Sequence, residues 1–392
     1  MNWEKVCSWL ISYYNSGYLK KKGDVLMSTI KSLNKLVQLN EYPIIFVGSG
    51  ITKRYLKDYP GWVDLLKEMW DELGIGKDFF AFLNQTRNNL KEKYPHNNGE
   101  NPYLDYETYI KIGTIIEEEY NKHFYDSKIK INGFDQKKAF YSKISPFKKA
   151  LSVRFSSYSY KEKMHEEIQV FKKLLHKAQV LLTTNYDTFL EDCYFNGEKS
   201  VKTFVGQKGF FQQHSDWAEL YKIHGCVSDP NSIVISQSDY DTFNQNSVLI
   251  SAKIISLLIN SPIIFIGYSL TDMNIRRIIR DFSSSLTGEE KELMKDRLII
   301  INRKEGEQNV SEYKQADDDL DCTFTVIETD NYLEVYRTLL MINQGAFPSE
   351  VRRFQDLIKD LIIDRGKKGS LKSLLISPLE LEKLEEKITD EN

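Results

Sequence analysis

The stretch Pro43-Ile-Ile-Phe-Val47, running straight into Gly48-Ser-Gly50, narrows the choice of folds more than any other part of this chain. A short continuous apolar run closed by glycine suits a strand buried on both faces. In such a strand, as in a parallel sheet, the alternation of polar and apolar positions is lost. Runs of the same kind return in series at Val180-Leu-Leu182, Tyr221-Lys-Ile223, Ile263-Ile-Phe-Ile266, Leu298-Ile-Ile-Ile301 and Phe324-Thr-Val-Ile327. Helical stretches separate several of them, notably Asp272 to Ser284. Strands alternating with helices imply βαβ units. The expected fold class is therefore α/β, with a Rossmann-like parallel sheet.

Between about residues 77 and 177 the chain is rich in Lys, Glu, Tyr and Phe and poor in Gly. Tyr109, Ile112, Ile115 and Ile116, and later Ile168, Phe171, Leu174 and Leu175, recur at helical spacing. This segment reads as a helical insertion, with a polar loop at 95–102. Residues 1–40 show helical spacing at Trp9, Leu10 and Tyr13, then at Leu26, Ile30, Leu33 and Val37. Residues 349–392 are charged and helical, with Leu357, Leu361 and Ile362 and then Leu379, Leu381 and Leu384. The expected organisation is an N-terminal helical extension over 1–40, a main domain over 41–340 that carries the insertion, and a C-terminal helical segment over 341–392.

Composition removes several classes of function. Lys and Arg number 53 against 56 Asp and Glu, which argues against a globally basic nucleic-acid binder. Clusters such as Arg276, Arg277 and Arg280, or Lys20-Lys-Lys22, are more often solvated helix faces, so nucleic acid is expected to be at most an indirect partner. The longest apolar stretch, Ile254 to Leu270, is broken by Asn260, Ser261 and Pro262, whereas a membrane span needs about 20 mostly apolar residues. No membrane association and a cytoplasmic location are expected. Of Cys7, Cys193, Cys226 and Cys322, no two lie closer than 33 residues, so neither a zinc knuckle nor a disulfide framework is anticipated.

In an open parallel sheet, ligands bind beyond the carboxyl ends of the strands. Gly48, Ser49, Gly50, Ile51 and Thr52 follow the first run; Thr183, Thr184, Asn185, Tyr186 and Asp187 follow the second. His224 and Gly225 follow the third; Gly267, Tyr268, Ser269, Leu270, Thr271 and Asp272 the fourth; Asn302 and Arg303 the fifth. Each piece has a purely structural use. Gly-x-Gly makes a tight strand-to-helix turn, Asp272 can cap a helix, Asn185 and Asp187 can close an Asx-turn, and His224 can be a satisfied core histidine. Five strand ends bearing hydroxyl, amide, imidazole and carboxylate groups on one rim carry more weight than any one of them.

Taken in order, Val47-Gly-Ser-Gly-Ile-Thr52, Leu182-Thr-Thr-Asn-Tyr-Asp187, Ile223-His-Gly225, Ile266-Gly-Tyr-Ser-Leu-Thr-Asp272 and Ile301-Asn302 resemble the sirtuin NAD-binding domain. More narrowly, they resemble the bacterial sirtuin-like proteins of antiphage defence. The resemblance implies that Gly48, Ser49 and Gly50, with Thr52, receive the pyrophosphate of NAD. It implies that Asn185 holds the nicotinamide ribose and positions the attacking group, while His224 acts on the ribose hydroxyls; these two are the catalytic candidates. Asp187 would lie near the carboxamide, with Asp272 also among the NAD-binding residues, and Gly267, Ser269 and Asn302 would contact the adenosine half.

Three departures shape the expected activity. The cysteine spacing excludes the four-cysteine zinc module of protein-deacylating sirtuins, so no metal is expected. Lys53-Arg-Tyr-Leu-Lys-Asp-Tyr-Pro60 stands where those enzymes carry Pro-Asp-Phe-Arg, and Thr184 stands where a glutamine precedes the catalytic asparagine. With the acyl-lysine cleft incomplete, water becomes the acceptor, and the implied reaction is hydrolysis of NAD to nicotinamide and ADP-ribose. About fifty residues follow position 340, too few for a second Rossmann-like domain. The resemblance therefore points to a homo-oligomer with a HerA-type ATPase as partner. The competing expectation is an NAD- or ADP-ribose-binding regulatory or nucleic-acid-associated subunit without turnover.

Overall fold

The computed structural model describes residues 30–91, 102–195, 197, 199–206, 218–246 and 248–367. Most of the expected N-terminal extension, all but the last residue of the 95–102 loop, Lys20-Lys-Lys22, and Leu379, Leu381 and Leu384 lie outside the described residues.

The elements run in chain order as α1 (Lys31–Leu39), β1 (Ile44–Val47), α2 (Ser49–Tyr55), α3 (Trp62–Leu73), α4 (Phe79–Lys91), α5 (Pro102–Tyr125), α6 (Gln136–Ser142), α7 (Pro146–Phe155) and α8 (His165–Leu175). Next come β2 (Leu181–Thr183), α9 (Phe189–Tyr194), β3 (Val201–Val205), β4 (Ala218–Lys222), α10 (Gln237–Asn246), α11 (Val248–Asn260) and β5 (Ile263–Ile266). The chain continues through α12 (Met273–Ser284), α13 (Gly288–Met294), β6 (Leu298–Arg303), β7 (Ser311–Asp317), β8 (Cys322–Thr329), α14 (Tyr332–Leu340) and α15 (Pro348–Lys367).

The strands form one eight-stranded sheet in the order β3-β4-β2-β1-β5-β6-β8-β7. Every pairing is parallel except that of β7 with β8. Without the two edge strands, the order is that of doubly wound dinucleotide-binding sheets, with the chain reversing direction across the sheet at β1. The fold is α/β and Rossmann-like.

Side chains leave the strands alternately to two cores. Ile45, Val47, Leu181, Leu220, Ile264, Ile266, Ile299 and Ile301 join one face with residues of α1, α2, α8, α9 and α14. Ile44, Phe46, Leu182, Tyr221, Ile263, Phe265, Leu298 and Ile300 join the other with residues of α10, α11 and α12. The helices cover these faces for local reasons. In α12 the buried Ile275, Ile278, Ile279 and Phe282 fall on one stripe, and the Asp272 side chain caps the amide ends of Asn274 and Ile275. A third core lies apart from the sheet. It joins α3, α5 and α7 to Cys226, Val227, Ile233 and Ile235, which follow β4. α8 packs instead on the sheet.

Two edge elements carry no apolar run. β3 has a single fully buried residue, Phe204, and β7 has none. The sixth strand is also longer than its run: β6 continues through Asn302 and Arg303, which pair with Glu328 and Thr329 of β8.

At the centre of the sheet the turns after β1 and β5 touch backbone to backbone. Gly48 N donates to Ile266 O at 3.0 Å and Gly50 N to Gly267 O at 2.9 Å. A Cβ on Gly48 would sit 2.3 Å from Gly267 O, and one on Gly267, whose φ is +64°, would sit 2.5 Å from Ile51 N. Only glycine permits this approach. Gly48→Ala is expected to force the two turns apart and lower unfolding free energy by about 1–3 kcal/mol, as overpacking does elsewhere. Urea denaturation with an unchanged slope checks it.

Candidate active site

Parallel pairing in register brings the ends of neighbouring strands to one level, and local hydrogen bonds then shape each turn. At the end of β2, Thr183 Oγ1 donates to Val47 O of β1 at 2.7 Å and accepts from Asn185 N at 3.0 Å. Asp187 Oδ1 accepts from Phe189 N at 2.9 Å, an Asx-turn that opens α9. Its Oδ2 accepts from the Tyr59 hydroxyl. Burial, reinforced by the Asp187 carboxylate, pushes the Tyr59 pKa well above the ordinary phenol value, so Tyr59 is a donor throughout.

At the end of β4, His224 is 2 % exposed and stands edge-on to Tyr240 and Phe243, with ring centroids 5.7 and 5.3 Å away. Its Nε2 lies 3.3 Å from Asp272 Oδ2 but makes no hydrogen bond. Burial lowers the His224 pKa, and the Asp272 carboxylate opposes that shift. Asp272 therefore has two uses at once. Its Oδ1 accepts from Asn274 N at 2.8 Å as the cap of α12, while its other oxygen faces the imidazole.

These turns border a cavity of about 530 Å³. Of the residues singled out from sequence, Ser49, Asn185, His224, Gly267, Ser269 and Asp272 line it. Gly48, Gly50, Thr52, Asp187 and Asn302 do not. Gly48 and Gly50 are engaged with the turn after β5, as described above. Thr52 Oγ1 donates to Ser49 O at 2.8 Å, Asp187 holds Tyr59 in the cavity wall, and Asn302 is half-buried within β6, one strand further along the sheet.

Half of the remaining lining residues are aromatic, and most of these come from the helical core above the sheet. Trp62 of α3, Tyr106 and Tyr109 of α5 and Phe155 of α7 join Tyr59, Tyr186 and Tyr268. Trp62 stacks on Tyr240 at 6.4 Å with planes 17° apart. The spacing that makes α3 amphipathic carries no sign that its first residue serves a cavity, so sequence reasoning passes these side chains by.

The distribution of unpaired polar atoms is uneven. Asn185 Nδ2, His224 Nε2, Trp62 Nε1 and Tyr268 Oη, all from lining residues, are buried without a hydrogen-bond partner. Each such atom costs about 1–3 kcal/mol, a cost that a polar ligand can offset. Three are amide, indole or phenol donors, which suits a ligand rich in oxygen acceptors. Elsewhere, two of the three arginines of α12 are committed to carboxylates and Arg277 donates to the Asn244 side-chain oxygen at 3.3 Å. Arg276 Nη2 lies 2.9 and 2.8 Å from Asp317 and Asp319, and Arg280 Nη1 lies 3.5 Å from Asp319. Among the described residues no group of three or more His, Cys, Asp or Glu side chains could hold a metal ion, and no helix is long and apolar enough to cross a membrane.

The lowered His224 pKa has a consequence for stability. The folded chain resists a proton that the unfolded chain takes up near pH 6.5, so the unfolded state binds more protons below that value and stability falls as pH drops through it. His224→Gln is expected to lose that part of the decline between about pH 7 and about pH 5, as read from urea midpoints.

The family model described as a SIR2-like domain matches residues 179–322. The NAD(+) hydrolase ThsA of Enterococcus faecium is 25 % identical over 177 residues, covering 41 % of this chain and 37 % of that protein. ThsA of Cytobacillus dafuensis is 30 % identical over 99 residues, 25 % of this chain and 20 % of that one. Defense-associated sirtuin 2 of Bacillus subtilis is 27 % identical over 108 residues, 25 % of this chain and 10 % of that one. The chain thus spans less than two fifths of the length of these curated relatives. The match begins just before β2 and takes in the turns bearing Asn185, His224 and Asp272, so the part of the chain that carries these turns, residues 179–322, is similar to a SIR2-like domain.

Proposed function

We propose that this protein hydrolyses NAD to nicotinamide and ADP-ribose and acts as a regulated effector of bacterial antiphage defence that depletes cellular NAD. The observation that carries the reading is the convergence of Asn185 and His224, each with an unpaired polar atom, on one cavity of about 530 Å³ at the carboxyl ends of β2 and β4. The names of the ThsA relatives support the activity, and that of the defence-associated sirtuin supports the setting.

In the proposed reaction the bond between the ribose C1′ and the nicotinamide nitrogen breaks, and its electron pair neutralises the pyridinium. Positive charge develops on the ribose as in glycoside cleavage. Asn185 holds the ribose and orients the attacking water without titrating. Water adds to C1′, and its proton passes, directly or through a ribose hydroxyl, to His224, which burial keeps neutral and ready to accept it. The imidazolium that forms faces Asp272 at 3.3 Å. Ser49, Gly267 and Ser269 are the NAD contacts nearest at hand, since they line the cavity; Gly48, Gly50, Thr52, Asp187 and Asn302 would act by shaping the walls or through more distant parts of the nucleotide.

The reading extends to a zinc-free, cytoplasmic homo-oligomer working with a HerA-type ATPase in abortive infection, with nucleic acid at most an indirect partner. The scattered cysteines support the zinc-free reading, and the near-balanced charge supports nucleic acid as at most an indirect partner.

Nicotinamide release from NAD by the purified chain, alone and mixed with a HerA-type ATPase, tests the reading. Turnover is expected in at least one assembly state, with Asn185→Ala and His224→Ala each slowing it by about 10²–10⁴-fold. NAD left intact in every state would overturn hydrolysis, and binding without turnover would point to a regulatory module.

A further inference from the structure

Lys222 ends β4, two residues before His224, and its side chain is fully buried, with 0 % exposure. It leaves the sheet on the side of Leu220 and α9, opposite Tyr221 and Ile223. Its Nζ donates to Tyr186 O at 3.2 Å, to Asp187 O, and to Glu191 Oε1 of α9 at 3.2 Å. The three donors of one ammonium are thus spent on the turn that follows β2 and on the helix this turn opens.

We propose that Lys222 is a positioning residue for this site: its buried ammonium grips the carbonyls of Tyr186 and Asp187 and so holds the turn that presents Asn185 to the ligand. The inference rests on the NAD-hydrolysis reading for its kinetic consequence, although the grip itself is a feature of the fold.

Stability alone gives a weak reason to bury a lysine here. Taking an ammonium out of water is costly, and replacing a buried ion pair with apolar side chains of similar volume is often neutral or stabilising. The position lies on a strand whose neighbours Leu220 and Tyr221 are both buried, where an apolar residue is the ordinary solution. An ammonium does what an apolar side chain cannot, because it can pull two successive carbonyl oxygens toward one point. The turn needs that constraint. Asn185 has its backbone N bonded to Thr183 Oγ1 but its side-chain Nδ2 unpaired, so the amide group has no hydrogen bond of its own to hold it against the cavity. Glu191 supplies the countercharge and is itself tied to the edge strand through Thr203 Oγ1 at 3.2 Å. Since Lys222 ends β4 and His224 follows it by two residues, the same strand sets the height of the imidazole and of the turn bearing the amide.

Lys222→Met removes the grip and keeps the volume. Lys222→Met combined with Glu191→Leu also removes the carboxylate that would be left behind, and serves if the single variant does not fold. Two measurements are made on whichever variant melts as one cooperative unit. The first is hydrogen exchange of the amides over residues 184–189, expected to speed up at least tenfold relative to the rest of the sheet. The second is NAD hydrolysis, with kcat expected to fall at least tenfold while KM changes less than threefold. Unchanged exchange in this turn overturns the grip. Faster exchange with wild-type kcat overturns the positioning role. A wild-type chain that binds but never cleaves NAD would instead count against the hydrolysis reading, with the exchange result still deciding the grip.

Discussion

β1 is held between two parallel neighbours that stop where it does. Ile45 pairs with Leu181 on one side and Ile264 on the other, and Val47 with Thr183 and Ile266. With both faces and both edges covered, the strand admits only apolar side chains, and all four of its residues are buried. The same crowding continues into the turn, where Gly48 and Gly50 meet Gly267 with no room for a Cβ. The rest of the site depends on this closure. Because the strands are in register, the residues after β1, β2, β4 and β5 emerge at one level, and groups far apart in sequence share one cavity. Thr183 adds a side-chain tie from β2 to the last carbonyl of β1, so the turn bearing Asn185 is anchored to the central strand as well as to its own.

The physics of that closure also explains which parts of the protein could be read from sequence. Strands buried on both faces announce themselves as unbroken apolar runs, and the central strands of this sheet were legible for that reason. Edge strands need not be apolar. β3 exposes part of Val201, Lys202 and Thr203, and β7 places Ser311, Tyr313, Lys314, Gln315 and Ala316 in solvent, as edges that avoid further pairing do. Strand-end chemistry was legible too, since topology forces whatever follows a central strand onto the rim. Asp272 caps α12, the structural use its sequence context allowed, and its other carboxylate oxygen faces His224, which the sequence did not indicate. The aromatic wall was not legible. Trp62, Tyr106 and Tyr109 reach the cavity because the helices of the third core sit on the turn after β4, and long-range packing of that kind leaves no periodic mark.

Buried polar groups are treated in two opposite ways in this molecule. Arg54 is almost fully enclosed and fully matched. Its guanidinium lies 2.5 Å from both Glu167 and Asp330, donates to the Asp330 carbonyl at 2.8 Å, and covers the Tyr332 ring at 4.3 Å. That network joins α2 to α8 and to the turn before α14, and it leaves none of the three guanidinium nitrogens without a partner. In the cavity, by contrast, Asn185, His224, Trp62 and Tyr268 keep polar atoms without partners. Four of the eight buried side-chain atoms without a partner among the described residues belong to the lining of this one hollow, where an arriving polar ligand can satisfy them.

The environment of His224 follows the same logic one step further into the chemistry. A base must be neutral before it accepts a proton and charged afterwards, so an environment tuned to one state alone defeats it. Burial among Tyr240 and Phe243 favours the neutral imidazole and lowers its pKa. Left alone, that burial would also penalise the imidazolium formed when the proton arrives. Asp272 opposes the penalty from 3.3 Å, and because its other oxygen is held by the first amides of α12, the carboxylate cannot swing away as charge develops. In the proposed hydrolysis the proton is therefore received by a side chain whose starting state is set by hydrophobic burial and whose final state is set by a pre-positioned charge. Both influences were in place before any ligand bound, which is the condition for electrostatics to assist a reaction without reorganising during it.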